Sequence, residues 1–177
     1  MRLKNKTATI LIAEGYHDHE FWYPYYRFRE EGAKVTVAAP TAGTVYGEGR
    51  NGKDGLPAEA DIAISELPST LPDILFLPGG IYGPLELRAI PEVQAYVKRC
   101  MDANILVCAI CHAPWILTAA GVVKGRKIAC PRDMQWDITG AGGIYSTEPA
   151  VLDGNLLSAH YYGNLPEMFQ LLFQGLH

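Results

Sequence analysis

Residues 105–121, ILVCAICHAPWILTAAG, decide the fold because in them a strand is followed directly by a helix. Ile105 to Ala109 form an apolar run typical of a buried strand, and Ala113 to Ala120 form an Ala-rich segment typical of a helix that ends at Gly121. Cys111 and His112 lie at the junction, with no loop between the two elements. The pattern predicts a nucleophile elbow, a sharp turn that exposes a reactive side chain above the end of a sheet.

Cys111 is the predicted nucleophile of this elbow. The N–H groups at the start of a helix carry partial positive charge, so we expect the helix start to favour the thiolate and to lower the pKa of Cys111. His112, the next residue, is placed to hold or shuttle a proton. The competing interpretation is a small buried hydrophobic residue, which is the expected role of Cys108 within the strand.

Composition restricts the class of protein. The chain has 177 residues, of which 49% are hydrophobic and 19% charged, and this predicts one globular domain over residues 1–177. A formal net charge of −4 without a basic cluster argues against nucleic-acid or membrane partners and favours a small-molecule partner. The apolar run Thr7 to Ala13 is too short to span a bilayer and lacks a cleavage site, so a cytoplasmic location is expected. The cysteines are expected to be free thiols.

Apolar and polar patterns along the chain alternate between strands and helices. The predicted strands are Thr7–Ala13, Val35–Ala38, Ile62–Leu67, Ile74–Leu77 and Arg126–Ala129, with a hairpin of Tyr145–Val151 and Asn155–Ala159 around Asp153-Gly154. The predicted helices are Phe21–Glu31 with Asp18 as N-cap, Pro91–Asn104, Asp133–Ala141 and Leu165–Leu172. Residues 40–61 are Gly-rich and predict a long excursion with a small hairpin. The alternation predicts an α/β fold with a mostly parallel, doubly wound sheet and helices on both faces.

Three chemically distinct segments follow predicted strands. They are Glu14 to Glu20, the pair Gly79-Gly80, and Cys111-His112. In a doubly wound sheet, ligands bind outside the carboxyl ends of the strands. An acid, a pair of close-approach glycines and a thiol at that edge predict a nucleophilic site.

The elbow motif A-I-C-H-x-P at residues 109–114, together with L-P-G-G at residues 77–80, resembles the ThiJ/PfpI family. This is the cysteine branch of the class I glutamine amidotransferase-like superfamily, and the chain is most similar to PfpI-like intracellular members. The resemblance implies a single-domain flavodoxin-like sandwich, no cofactor, and assembly into homodimers or hexamers. It also implies that Glu20 is the hydrogen-bond partner and proton carrier of Cys111. The catalytic histidine would be His112, and the N–H groups of Gly79, Gly80 and His112 would form the oxyanion hole.

The expected substrate pocket departs from close relatives. His17 stands where they carry a second acid, Cys130 where they carry a tyrosine, and His160 belongs to a segment that differs from theirs. We therefore expect the pocket to be lined by His17, Tyr82, Trp115, Cys130 and His160. A metal-binding rim of His17, His19 and His160 is the disfavoured alternative, so no metal is expected.

The resemblance leaves three functions open. The first is a cofactor-independent glyoxalase-type or deglycase-type enzyme, in which Cys111 adds to a small reactive carbonyl and a hydroxy acid is released. The second is an intracellular cysteine peptidase, which needs an acid to orient His112; relatives take this acid from a neighbouring subunit, and the sequence identifies none. The third is a non-enzymatic oxidation sensor or holdase chaperone based on Cys111.

Overall fold

A single large sheet forms the centre of the computed structural model, which describes residues 1–175. The strands are β1 Thr7–Leu11, β2 Lys34–Ala39, β3 Gly43–Tyr46, β4 Pro57–Ala60, β5 Ile62–Ala63, β6 Ile74–Leu77, β7 Leu106–Ile110, β8 Lys127–Ala129, β9 Ile144–Ser146, β10 Ala150–Asp153 and β11 Leu156–Ala159. The seven-stranded sheet has the order β10-β11-β7-β6-β1-β2-β5. All neighbouring pairs are parallel except β10 with β11. The predicted fold class, a mostly parallel doubly wound sheet, is confirmed.

Helices cover both faces of this sheet. They are α1 Asp18–Glu30, α2 Tyr82–Arg88, α3 Pro91–Asp102, α4 Pro114–Ala119, α5 Gln135–Gly140 and α6 Leu165–Gln174. Alternate residues of each buried strand face opposite layers, as strand geometry requires. In β6, Ile74 and Phe76 pack in the layer of α1 and α6, whereas Leu75 and Leu77 pack in the layer of α2, α3 and α4.

The strand order brings the predicted site segments together. Chain order reverses between the neighbours β1 and β6, and β7 lies next to β6. The carboxyl ends of these three strands therefore meet at one edge, where ligands bind in doubly wound sheets.

Several local predictions need correction. The helix α2 was not predicted, and β8 pairs with β9 outside the main sheet. Residues 145–151 do not form one strand, because β9 ends at Ser146 and β10 begins at Ala150. The N-cap of α1 is His17, while the Asp18 carboxylate accepts the backbone N–H groups of Gly49 and Leu56.

Other predictions agree with the structure. Residues 40–61 contain the hairpin of β3 and β4, and all four cysteines are free. Within residues 1–175, no helix combines the length and apolar character needed to cross a membrane.

We expect the Phe28→Ala substitution in α1 to lower the free energy of unfolding by about 3–5 kcal/mol. Phe28 is fully buried, and its ring centroid lies 5.3 Å from that of Phe169 and 5.8 Å from that of Phe76. Urea unfolding of both proteins measures the difference. Tyr26→Ala on the exposed side of the same helix is the control, and an equal loss in both variants would contradict this account of the core.

Candidate active site

Cys111 occupies a strained turn at the end of β7. Its φ angle is +59°, in the left-handed region that few non-glycine residues adopt. The turn is closed by the N–H of Ala113, which donates to the carbonyl of Ile110 over 3.0 Å, and Pro114 then starts α4. Cys111 is half-buried, so its thiol borders both the protein interior and the solvent. This is the geometry of the predicted elbow.

Glu20 lies beside this thiol, fully buried at the start of α1. Its Oε2 accepts the N–H of Gly79 at 3.0 Å, and its Oε1 is buried without a hydrogen-bond partner among residues 1–175. Only a glycine fits at position 79, because a Cβ there would lie 2.5 Å from the Cβ of Cys111 and 2.5 Å from Oε2 of Glu20. The carboxyl group and the thiol therefore lie against the same backbone segment.

Burial dominates the protonation of Glu20. It raises the pKa of the carboxyl group to about 8, outweighing the hydrogen bond from Gly79, and the charge of Glu48 acts in the same direction as burial. At neutral pH most of the Glu20 side chains therefore carry a proton, which suits a proton donor.

Burial is also the largest cause that raises the pKa of Cys111, and the charge of Glu20 raises it further. The backbone N–H groups of Gly80 and His112 act in the opposite direction, and the charge of Glu48 adds to the raised pKa. The predicted lowering by the helix start is wrong, because α4 has only six residues and cannot offset desolvation of the thiolate. A standing thiolate is thus not favoured, and a base has to remove the proton during attack.

His112 is positioned as that base. Its Nδ1 lies 3.3 Å from Sγ of Cys111, and its Nε2 lies 3.0 Å from Oδ2 of Asp133. If Nε2 carries the hydrogen and donates it to Asp133, Nδ1 presents its lone pair to the thiol. Cys111, His112 and Asp133 thus form a nucleophile–base–acid arrangement within one chain.

Asp133 was not among the predicted site residues. The sequence pattern predicts a helix that starts there, whereas residues 132–134 form a short 3₁₀ turn that follows β8. The available signal was an acid close behind a predicted strand end, at Ala129. That signal was weak because β8 lies outside the main sheet.

The oxyanion-hole prediction needs one correction. The N–H of Gly79 already donates to Glu20 and is not available to a substrate oxygen. Hydrogen bonding by the backbone N–H groups of Gly80 and His112 acts to lower the pKa of the Cys111 thiol. Gly80 has a φ of +94°, which glycine adopts without strain. These two N–H groups are placed to stabilise an oxyanion on a carbon bonded to that sulfur.

Three of the five predicted pocket residues lie around this region. The His17 ring stacks on Tyr162 with centroids 4.9 Å apart, and the Trp115 ring lies 4.8 Å from that of His112. Tyr82 is half-exposed and lies over Gly15 and Gly52. Tyr162, which sequence reasoning did not select, also contacts His19.

One pocket prediction is wrong, and another stays a prediction. Cys130 is fully buried in the layer of α3 and α4, so it cannot line a solvent-accessible pocket. His160 stays a pocket prediction, and its Nε2 lies 3.0 Å from the carbonyl oxygen of Ser146. His160 therefore does not join His17 and His19 in a rim, and residues 1–175 contain no cluster of His, Cys, Asp or Glu suited to a metal ion.

The model of the DJ-1/PfpI family matches residues 6–174. The chain belongs to this family.

Members of the DJ-1/PfpI family with similar sequences carry enzyme names. Deglycase TK1284 of Thermococcus kodakarensis is 36% identical over 156 residues, covering 88% of this chain and 90% of that protein. Deglycase PfpI of Pyrococcus furiosus is 33% identical over 156 residues, with the same coverage of 88% and 90%. A two-domain crystal structure from Anabaena variabilis, with DJ-1/ThiJ/PfpI-like and ferritin-like domains, superposes with a TM-score of 0.89 at 27% identity. The match covers 97% of this chain and 50% of that one.

We expect the Glu20→Gln substitution to change how stability depends on pH. Folded Glu20 keeps its proton up to about pH 8, whereas the unfolded side chain releases it near its ordinary value of 4.5. The stability that this proton uptake contributes is present below pH 4.5 and is lost as the pH rises toward 8. We expect Tm to fall more between pH 5 and pH 8 in the native protein than in Glu20→Gln, as measured by thermal melting at both pH values.

Glu30→Gln, on the exposed side of α1, is the matched control for this experiment. An equal fall in Tm between pH 5 and pH 8 for the native protein and Glu20→Gln would mean that Glu20 is already ionised at pH 5.

Proposed function

We propose that the chain is a cysteine-dependent enzyme of the deglycase or glyoxalase type, acting on small 2-oxoaldehydes or on their adducts with amines and thiols. The observation that carries the proposal is the buried carboxyl group of Glu20 against a half-buried Cys111, with burial raising the pKa of that carboxyl group to about 8. Such a pair suits a reaction that moves a proton within the substrate as well as forming a bond to it. The deglycase names of the two relatives support the same activity. Assembly into dimers or hexamers is part of the proposal.

The first step forms a covalent bond. His112 removes the thiol proton of Cys111 through Nδ1, and Asp133 stabilises the resulting imidazolium. The sulfur adds to the aldehyde carbon, and the electron pair of the carbonyl bond moves to its oxygen. The N–H groups of Gly80 and His112 stabilise that oxygen until it is protonated. The product of this step is a hemithioacetal.

The second step moves a hydrogen between neighbouring carbons. The group that has given its proton to the hemithioacetal oxygen, Glu20 or His112, is then free to take the proton from the former aldehyde carbon and to return it to the adjacent carbonyl carbon. The hydroxyl proton moves to the neighbouring oxygen, and the product is a thioester of a 2-hydroxy acid. Water then cleaves the thioester and restores the thiol. The sum is one oxoaldehyde plus one water giving one hydroxy acid. If an adduct is the substrate, the amine or thiol leaves with a proton as its bond to the aldehyde carbon breaks.

A second candidate function is peptide hydrolysis. The observation that favours it is the contact of His112 with Asp133, which supplies within one chain the orienting acid that a cysteine peptidase needs. Here Cys111 would attack a peptide carbonyl, and His112 would donate its proton to the leaving amine.

The deciding experiment for the first function follows lactate formation from methylglyoxal and from its preformed adduct with N-acetylarginine. We expect the native protein to form lactate from both substrates, and Cys111→Ala to fall to the uncatalysed background. Because the adduct releases free aldehyde reversibly, free methylglyoxal is measured in the same samples. A rate that follows only the free aldehyde indicates a glyoxalase, and a rate that follows the adduct indicates a deglycase. Failure with both substrates, combined with cleavage of fluorogenic peptides, would favour the peptidase.

We expect Asp133→Asn to lower kcat about tenfold to hundredfold, because the amide no longer stabilises the imidazolium of His112. The matched control is Asp137→Asn. Asp137 accepts the indole N–H of Trp115 at 3.1 Å and has no contact with His112 within hydrogen-bond distance. Steady-state kinetics measure both variants. Equal kcat in the native protein and Asp133→Asn would remove Asp133 from the mechanism.

A further inference from the structure

Glu48 brings an additional carboxylate to the active site from outside the main sheet. It lies between β3 and β4, where its N–H donates to the carbonyl of Tyr16 at 2.8 Å. Its Oε2 accepts the N–H of Ile81 at 3.2 Å, and a Cβ on Gly80 would lie 3.0 Å from the same oxygen. The Glu48 carboxylate is thus fixed against the turn that supplies an oxyanion donor.

Within the described part of the chain, no lysine or arginine forms an ion pair with Glu48. Among those residues, the one basic side chain within ion-pair distance of Glu48 is His17, whose Nε2 lies 4.0 Å from Oε1 of Glu48. Burial lowers the pKa of His17 and His19 acts in the same direction, while the charges of Glu48 and Asp18 oppose this shift. Among the described residues, Glu48 therefore has no permanently charged cationic partner.

An uncompensated negative charge disfavours further negative charge nearby. Glu48 contributes to the raised pKa of both Glu20 and Cys111, in addition to the effect of burial. Its hydrogen bond to Ile81 and its contact with Gly80 explain how the charge stays in place. The other titratable groups around the site are Glu14, Tyr16, His17, Asp18 and His19 before and within α1, Asp54 from the hairpin, His112 and Asp133 beside Cys111, and Tyr162 ahead of α6.

We propose that Glu48 is a positioning residue for the Cys111–Glu20 pair. Its carboxylate, held against the turn at Gly80, keeps Glu20 in its proton-bearing form and sets the pH range in which Cys111 reacts. This inference adds to the proposed function and rests on it, because the role of Glu20 as a proton donor belongs to that function. The test below uses no substrate, so that it can fail or succeed independently of the lactate assay.

The test follows alkylation of Cys111 by iodoacetamide between pH 6 and pH 10 in the native protein and in Glu48→Gln. The amide oxygen can still accept the N–H of Ile81, so the substitution removes mainly the charge. We expect the curve of alkylation rate against pH to move to lower pH by roughly 0.5–1 unit, which is about a threefold to tenfold faster reaction at each pH below the midpoint. Peptide mass spectrometry assigns the label to Cys111, since Cys100, Cys108 and Cys130 are buried.

Asp54→Asn is the matched control. Asp54 lines the same cleft of about 450 Å³ as Glu48, but its carboxylate accepts the backbone N–H of Asn51 at 2.9 Å and not a donor of the turn at Gly80. Its midpoint should match that of the native protein. An unchanged midpoint in Glu48→Gln, or an equal shift in Asp54→Asn, would overturn the proposal. If Glu48→Gln does not fold, Glu48→Asp and Glu48→Asn repeat the comparison, and equal midpoints in that pair would overturn it as well.

Discussion

The hydrogen bond from the N–H of Gly79 to the buried carboxyl group of Glu20 is the constraint on which the site depends. A buried carboxyl group without a donor is costly, so α1 and the end of β6 have to stay in register with one another. Because Gly79 also lies against the Cβ of Cys111, the same contact fixes the distance between acid and nucleophile. One backbone amide therefore couples the start of a helix, the end of a central strand and the elbow.

Burial has opposite consequences for the two members of this pair. It makes Glu20 a proton donor at neutral pH, which the proposed chemistry needs, but it also disfavours the thiolate of Cys111. Two neighbouring groups that both resist ionisation titrate as a coupled pair. The site can still form a nucleophile because His112 lies within reach of the sulfur and is itself held by Asp133. The reactive thiolate then exists during attack rather than at rest.

The sequence predicted well those features that are encoded locally. The apolar run at Ile74–Leu77 and the junction at Cys111 show a strand and an elbow without reference to distant residues. Contacts between segments that are distant in sequence were not predictable in this way. Asp133 is 21 residues from the histidine that it contacts, and Glu48 is 33 residues from the N–H that it accepts. The sign of the Cys111 pKa shift was also missed, because it depends on packing that no spacing rule reveals.

Asp133 and Glu48 share a position in the fold that explains why both were missed. Each lies in a segment outside the seven-stranded sheet, one after β8 and the other in the β3–β4 hairpin. The sheet fixes where the sulfur, the buried acid and the glycine turn lie, and its packing leaves little freedom to change them. Loops outside it tolerate substitution far better. In this fold the framework therefore places the cysteine and its neighbouring histidine, while the peripheral segments supply the acid that holds this histidine and, in our proposal, the carboxylate that sets the pH range of the reaction.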